Sequence, residues 1–160
     1  MASLAPSIFK WSRKRVRTAP VAGQRQPAPR TPVLLASAKD SDRQLLQNVL
    51  KDTAYLLVHT DNWQTTLNLA GHIVFPVILY DRLFDTVDWR LAVKRLARSW
   101  RTPSVLLLSQ DHEHGLRDEL IGSGGFDLLV RPVEFGELFR TVDAAMARFL
   151  RLAPSAEPAR

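Results

Sequence analysis

From residue 32 onward, five short apolar runs alternate with stretches whose apolar residues recur at helical spacing. The runs are TPVLLAS, AYLLVHT, PVILYD, SVLLLSQ and FDLLV. Each is strand-sized and almost continuously apolar, which is the pattern of a strand buried on both faces. The intervening stretches are amphipathic. DSDRQLLQNVLKD spaces Leu45, Leu46, Val49 and Leu50 along one face, with Asp40 or Ser41 as its expected N-cap. NWQTTLNLAG takes Asn62 as cap and Gly71 as stop. DWRLAVKRLARSW aligns Trp89, Val93, Leu96 and Trp100, and HGLRDELIGSG reads as a short helix ending in glycines. VEFGELFRTVDAAMARFL closes the series, with Phe135, Leu138, Val142, Ala145 and Phe149 on a shared face.

Strands buried on both faces require helices on both sides of a parallel sheet. Right-handed crossovers leave few layouts for five units. The fold class expected is therefore α/β: a flavodoxin-like (βα)5 doubly wound parallel sheet with strand order 2-1-3-4-5. The body spans 32–150, and 151–160 reads as a frayed, disordered tail.

The charge is unevenly placed. Seven of the 22 basic residues, and none of the 16 acids, fall in residues 1–31. The rest of the chain is thus close to neutral. The first 31 residues also hold Pro6, Pro20, Pro27 and Pro29, so they read as a basic disordered arm. Three readings of the arm stay open: a plain solvated tail, an arm whose clustered Lys and Arg make weak contact with polyanions, and a targeting peptide. There is no cysteine, which removes disulfides and thiol chemistry and suits a cytoplasmic setting. No apolar run approaches the roughly 20 residues of a membrane span.

In open α/β sheets, ligands bind beyond the carboxyl ends of the strands. Neither a dinucleotide fingerprint nor a P-loop is present there. Gly122, Gly124 and Gly125 lie at the opposite edge and read as a helix end and tight turn. The strand ends instead offer Asp81, Ser109 and Arg131, followed by Pro132. A carboxylate, a hydroxyl and a fixed cation could together carry an acyl phosphate. The DHEHG loop places His112, Glu113 and His114 close together, but that spacing is no zinc signature. Asp40 and Asp42 read as helix-capping acids.

Residues 32–150 resemble the receiver domain of bacterial response regulators. The resemblance rests on VILYD, on TPSVLLLS and on GSGGFDLLVRPVEFGELFRTV. It implies that Asp81 is the phosphoacceptor candidate and Ser109 the switch hydroxyl. Arg131 would be the phosphate- or carboxylate-pairing cation where the family carries lysine, and Pro132 a cis-proline candidate. The family's acidic pair at the end of strand one, which helps hold Mg²⁺, is degenerate here: Ser37 and Ala38 stand in its place. Leu128 takes the family's aromatic switch position. No resident cofactor or metal is expected, with Mg²⁺ bound weakly at most. The guanidinium of Arg131 is expected to reach the Asp81 carboxylate, since its fork can hold a carboxylate without metal.

The function these features imply is that of a single-domain, response-regulator-like signalling protein in a phosphorelay. It is not expected to be an enzyme, and would act through contacts with a histidine kinase or a downstream effector. The alternative is a phosphorylation-independent pseudo-receiver with a polyanion-binding arm.

Overall fold

Every expected strand forms, and the alternation of side chains along each one builds two cores. The computed structural model describes residues 27–154. The strands are β1 (Thr31–Ala36), β2 (Tyr55–Thr60), β3 (Val77–Asp81), β4 (Ser104–Ser109) and β5 (Asp127–Val130). The helices are α1 (Asp40–Leu50), α2 (Trp63–His72), α3 (Trp89–Ala97), α4 (Leu116–Gly122) and α5 (Phe135–Leu152). All pairings are parallel, in the order β2-β1-β3-β4-β5. The flavodoxin-like arrangement expected from the sequence is the one observed.

Successive side chains on a strand point to opposite faces. Val33, Leu35, Val77, Leu79, Leu106 and Leu108 accordingly pack with Leu46 and Val49 of α1 and Leu138 and Val142 of α5. Leu34, Ala36, Ile78, Tyr80, Val105 and Leu107 pack on the other face with Ala92, Val93 and Leu96 of α3 and Leu116 and Leu120 of α4. With both faces covered, β3 and β4 are buried from end to end. A carboxylate at the end of β3 therefore emerges from the middle of the core.

Local signals account for two of the five helix starts. Asn62 accepts a hydrogen bond from the Thr65 amide at 2.8 Å, and Asp88 accepts one from the Arg90 amide at 2.8 Å. Gly124 has φ +96, and the chain turns there back into β5.

Several details depart from the sequence reading. The N-cap of α1 is Lys39 rather than Asp40 or Ser41, and it makes no side-chain cap bond. Gly71 lies inside α2, which continues through His72. Trp100 lies beyond α3 and is 58% exposed, because the helix ends at Ala97 and the chain leaves it through left-handed residues Arg101 and Thr102. Phe135 is likewise exposed. Residues 27–30 are exposed and carry no regular structure. Of the segments expected to be disordered, 1–31 and 151–160, the structure corrects both inner ends: Thr31 opens β1, and α5 runs on through Leu152 because its apolar face continues. Residues 1–26 and 155–160 lie outside the described residues.

Candidate functional site

Parallel strands bring the sequence-predicted side chains to one edge of the sheet. Asp81 ends β3, Ser109 ends β4, and Arg131 follows β5 directly. Ser37 follows β1 and is buried, while Ala38 is exposed. The Arg131–Pro132 peptide is cis.

The guanidinium of Arg131 does cross the strand ends, but its fork does not rest on Asp81. Arg131 Nε donates to Asp42 Oδ1 at 3.0 Å, and Nη2 donates to Asp42 Oδ2 at 2.5 Å. The same Nη2 lies 3.4 Å from Asp81 Oδ2, a longer and secondary contact. Arg131 thus reaches Asp81 as expected, but its two-pronged grip falls on Asp42, which corrects the reading of Asp42 as a capping acid. Asp42 does occupy the first turn of α1, where the helix dipole favours an acid. Its carboxylate, however, turns inward and is buried. Asp40, on the outer side, forms an exposed pair with Arg43.

Ser37 ties the cluster together. Its hydroxyl donates to Asp42 Oδ2 at 2.6 Å and accepts from the Lys39 amide at 3.1 Å. Asp81 Oδ2 lies 3.5 Å from that hydroxyl. A hydroxyl has one proton to donate, and the shorter contact claims it. Asp81 Oδ1 accepts from the Leu83 amide at 3.1 Å. Burial disfavours the charged form of Asp42, but hydrogen bonds from Arg131 and Ser37, with the charges of Arg131 and Lys39, outweigh it and hold its pKa below the ordinary 3.8. The Arg131 pKa is raised, since its two carboxylate partners outweigh its own burial.

Ser109 is turned to a different task. Its hydroxyl donates to the Asp111 carbonyl at 3.3 Å and accepts from the Asp111 amide at 3.2 Å. It holds the start of the β4–α4 loop and makes no hydrogen bond with Asp81 among the described residues. Leu128 is half-buried beside Pro132. His112, Glu113 and His114 do not converge, and no cluster of three potential metal ligands occurs among the described residues.

The residues present do not fit a divalent cation. Mg²⁺ requires oxygen ligands in near-octahedral geometry at close range. The two carboxylate oxygens best placed for it, Asp42 Oδ2 and Asp81 Oδ2, both face the Arg131 guanidinium. An ion held by them would stand against a fixed positive charge.

The sheet order and the helices on both faces are those of the receiver fold of response regulators. Solved structures of that class share it. The signal receiver domain of an HD domain-containing protein from Pseudomonas fluorescens is similar at 19% identity and TM-score 0.70, over 77% of this chain and 91% of that one. The chemotaxis response regulator CheY4 of Vibrio cholerae is similar at 21% identity and TM-score 0.66, over 72% and 98%. A Francisella response regulator receiver domain gives 22% identity and TM-score 0.66, over 74% and 98%. Likeness at this level of identity establishes the fold. No family model matches the sequence, and no curated protein is similar to it.

Proposed function

We propose that this chain is a receiver-type signalling module that works by protein contact and independently of phosphorylation. The observation that carries the reading is the bidentate grip of Arg131 on Asp42, with Asp81 drawn into the same cluster. Asp81 occupies the position of a phosphoacceptor. Accepting a phosphoryl group there needs a free carboxylate oxygen, a counter-cation for the phosphoryl oxygens and a hydroxyl donor. In this chain the available cation is committed to Asp42, and the Ser109 hydroxyl is committed to its own loop. A modification shifts a two-state equilibrium only through differential affinity for the two states, and a pocket already paired offers little.

The contact surface fits the same reading. Between α4, β5 and α5 lies a cleft of about 650 Å³, lined by His112, His114, Arg117, Leu128, Pro132 and Glu137. Exposed Phe135 stands at the start of α5, next to two of the residues that bound the cleft. A histidine kinase or a downstream effector is the class of partner the fold suggests. Such a partner would meet one fixed conformation.

The test is incubation with acetyl phosphate and Mg²⁺, read by intact-protein mass. The wild type should gain no phosphoryl group. Arg131→Lys combined with Ser37→Asp and Ala38→Asp should gain one, and adding Asp81→Asn should abolish the gain. Ready phosphorylation of the wild type on Asp81 would overturn the proposal.

A further inference from the structure

The charged residues of the folded part are sorted by pole. In this topology the amino ends of the strands and the carboxyl ends of the helices share one end of the molecule. Lys94, Arg95 and Arg98 lie there at the end of α3, with Arg101 in the turn that follows and Arg148 and Arg151 at the end of α5. Arg30 and Lys51 join them ahead of β1 and after α1. Among the described residues none of these eight forms an ion pair. The basic residues that do, Arg43, Arg82, Arg90, Arg117 and Arg131, all start helices or follow strands, at the opposite pole.

Two contacts fix basic residues against the strand starts. Arg148 Nη1 donates to Ser104 Oγ at 3.1 Å, which sets the end of α5 against the turn that precedes β4. Arg30 donates to the Thr53 carbonyl at 3.3 Å, beside Lys51. Helix dipoles favour a cation in each last turn. They do not account for Arg101, which lies outside any helix. Nor do they account for the apolar groups exposed around it. Trp100 is 58% exposed, with the Arg101 guanidinium 5.6 Å from its ring centroid, and Leu150 and Leu152 are 59% and 54% exposed.

The segment ahead of β1 enters at this same pole. Its sequence carries Lys10, Arg13, Lys14, Arg15, Arg17 and Arg25, with Ile8, Phe9 and Trp11 beside them. We propose that this pole docks on the surface of a membrane rich in anionic phospholipid. The mixture of groups selects this partner over a nucleic acid. Bases stack on flat aromatic faces but have no complement for exposed leucines. A bilayer interface takes both: tryptophan seats at headgroup level and aliphatic side chains enter the acyl boundary. Lys and Arg meanwhile gain from the negative surface potential, each multiplying partitioning about fivefold. The near-neutral sum of the folded part hides this, because most of its acids lie at the other end, with Asp52 and Asp127 the acids beside the basic pole.

The experiment uses the full chain and sedimentation with vesicles, of phosphatidylcholine alone or mixed with phosphatidylserine. Binding is expected to the mixed vesicles only and should weaken steeply with salt. Arg95→Glu, Arg98→Glu and Arg101→Glu together should lower partitioning at least a hundredfold, with the fold confirmed by circular dichroism. Trp100→Ala should lower it less and remove part of the fluorescence blue shift seen on binding. A triple variant that binds like the wild type would overturn the proposal, because the amino-terminal segment would then act alone. Binding to single-stranded DNA without binding to the mixed vesicles would overturn it in favour of a nucleic acid.

Discussion

Replacing Arg131 with alanine should cost more stability than any other single change at the strand ends. The structure sets the scale. The side chains of Asp42 and Asp81 are 7% and 3% exposed, and that of Arg131 is 15% exposed. Deleting one member of a buried ion pair leaves an uncompensated charge, at a cost of roughly 3–5 kcal/mol. The lower end applies here, about 3 kcal/mol, because the guanidinium keeps some contact with water. With a urea m-value of about 2 kcal/mol/M, the unfolding midpoint should fall by about 1.5 M at neutral pH. The deficit should also depend on pH. Asp42 has its folded pKa depressed below 3.8, so its pairing stabilises the protein fully above that value and is lost as pH falls through the depressed one. Without Arg131, burial is left opposed only by Ser37 and Lys39, and the carboxyl protonates at higher pH. The gap between wild type and variant should therefore narrow on acidification. A double-mutant cycle with Asp42→Asn should show strong coupling, since the asparagine variant has already lost the paired charge. A midpoint shift below about 0.5 M, or a deficit that stays unchanged as pH is lowered through 3.8 and below, would refute the reasoning, since a buried pair costs several times more to break.

Two further predictions concern parts of the fold that hold the site in place. Gly125→Ala would set a methyl carbon 2.2 Å from Leu120 Cδ1 and 3.0 Å from the Leu120 carbonyl oxygen, so thermal unfolding should report a loss of about 1–3 kcal/mol from overpacking; an unchanged melting temperature would show that the α4–β5 turn relaxes freely. Burial, together with nearby carboxylates, pushes Tyr55 up to about 12 and raises Tyr80 as well. These are the chain's two tyrosines. An ultraviolet titration should therefore show almost no phenolate at pH 10, and a full tyrosine step near that pH would contradict the packing around both rings.

The sheet was legible because its strands are continuous apolar runs, and the order 2-1-3-4-5 followed from chain length and crossover handedness. The same residues could not reveal the site's pairing. Arg131 and Asp42 are 89 residues apart, and an acid in the first turn of a helix reads alike whether it faces water or the core. Asp40 and Asp42 differ only in direction, and direction depends on where α1 begins. The sequence DSD suggested a cap at Asp40 or Ser41, but the cap falls earlier, on Lys39, and Asp40 is already helical. Trp100 fails for a related reason. It lies four residues past Leu96 and would extend that face if α3 continued, yet the helix stops at Ala97. Periodicity predicts which face a residue takes within a helix and says little about where the helix ends.

The charge balance of the strand-end cluster explains why a metal-free receiver fold can hold together here. Two buried carboxylates, Asp42 and Asp81, demand two positive charges, because an isolated buried ion is costly. Arg131 supplies one by direct contact with both. Lys39 supplies the other through its field at Asp42, and its ammonium nitrogen is enclosed without a hydrogen-bond partner among the described residues. The cluster is neutral as it stands. A divalent cation would leave it with an excess of two positive charges, and a phosphoryl group on Asp81 would add negative charge beyond what Arg131 and Lys39 already balance. Arginine suits the role better than lysine because its planar fork fixes Asp42 in two hydrogen bonds while a nitrogen remains in range of Asp81. Arg131→Lys alone should therefore not permit phosphotransfer: a single ammonium could satisfy one carboxylate, and the pocket would still lack carboxylate ligands at Ser37 and Ala38. Only the combined replacement changes both the cation and the ligands, and phosphorylation of the single variant would show that the arginine alone holds the pocket shut.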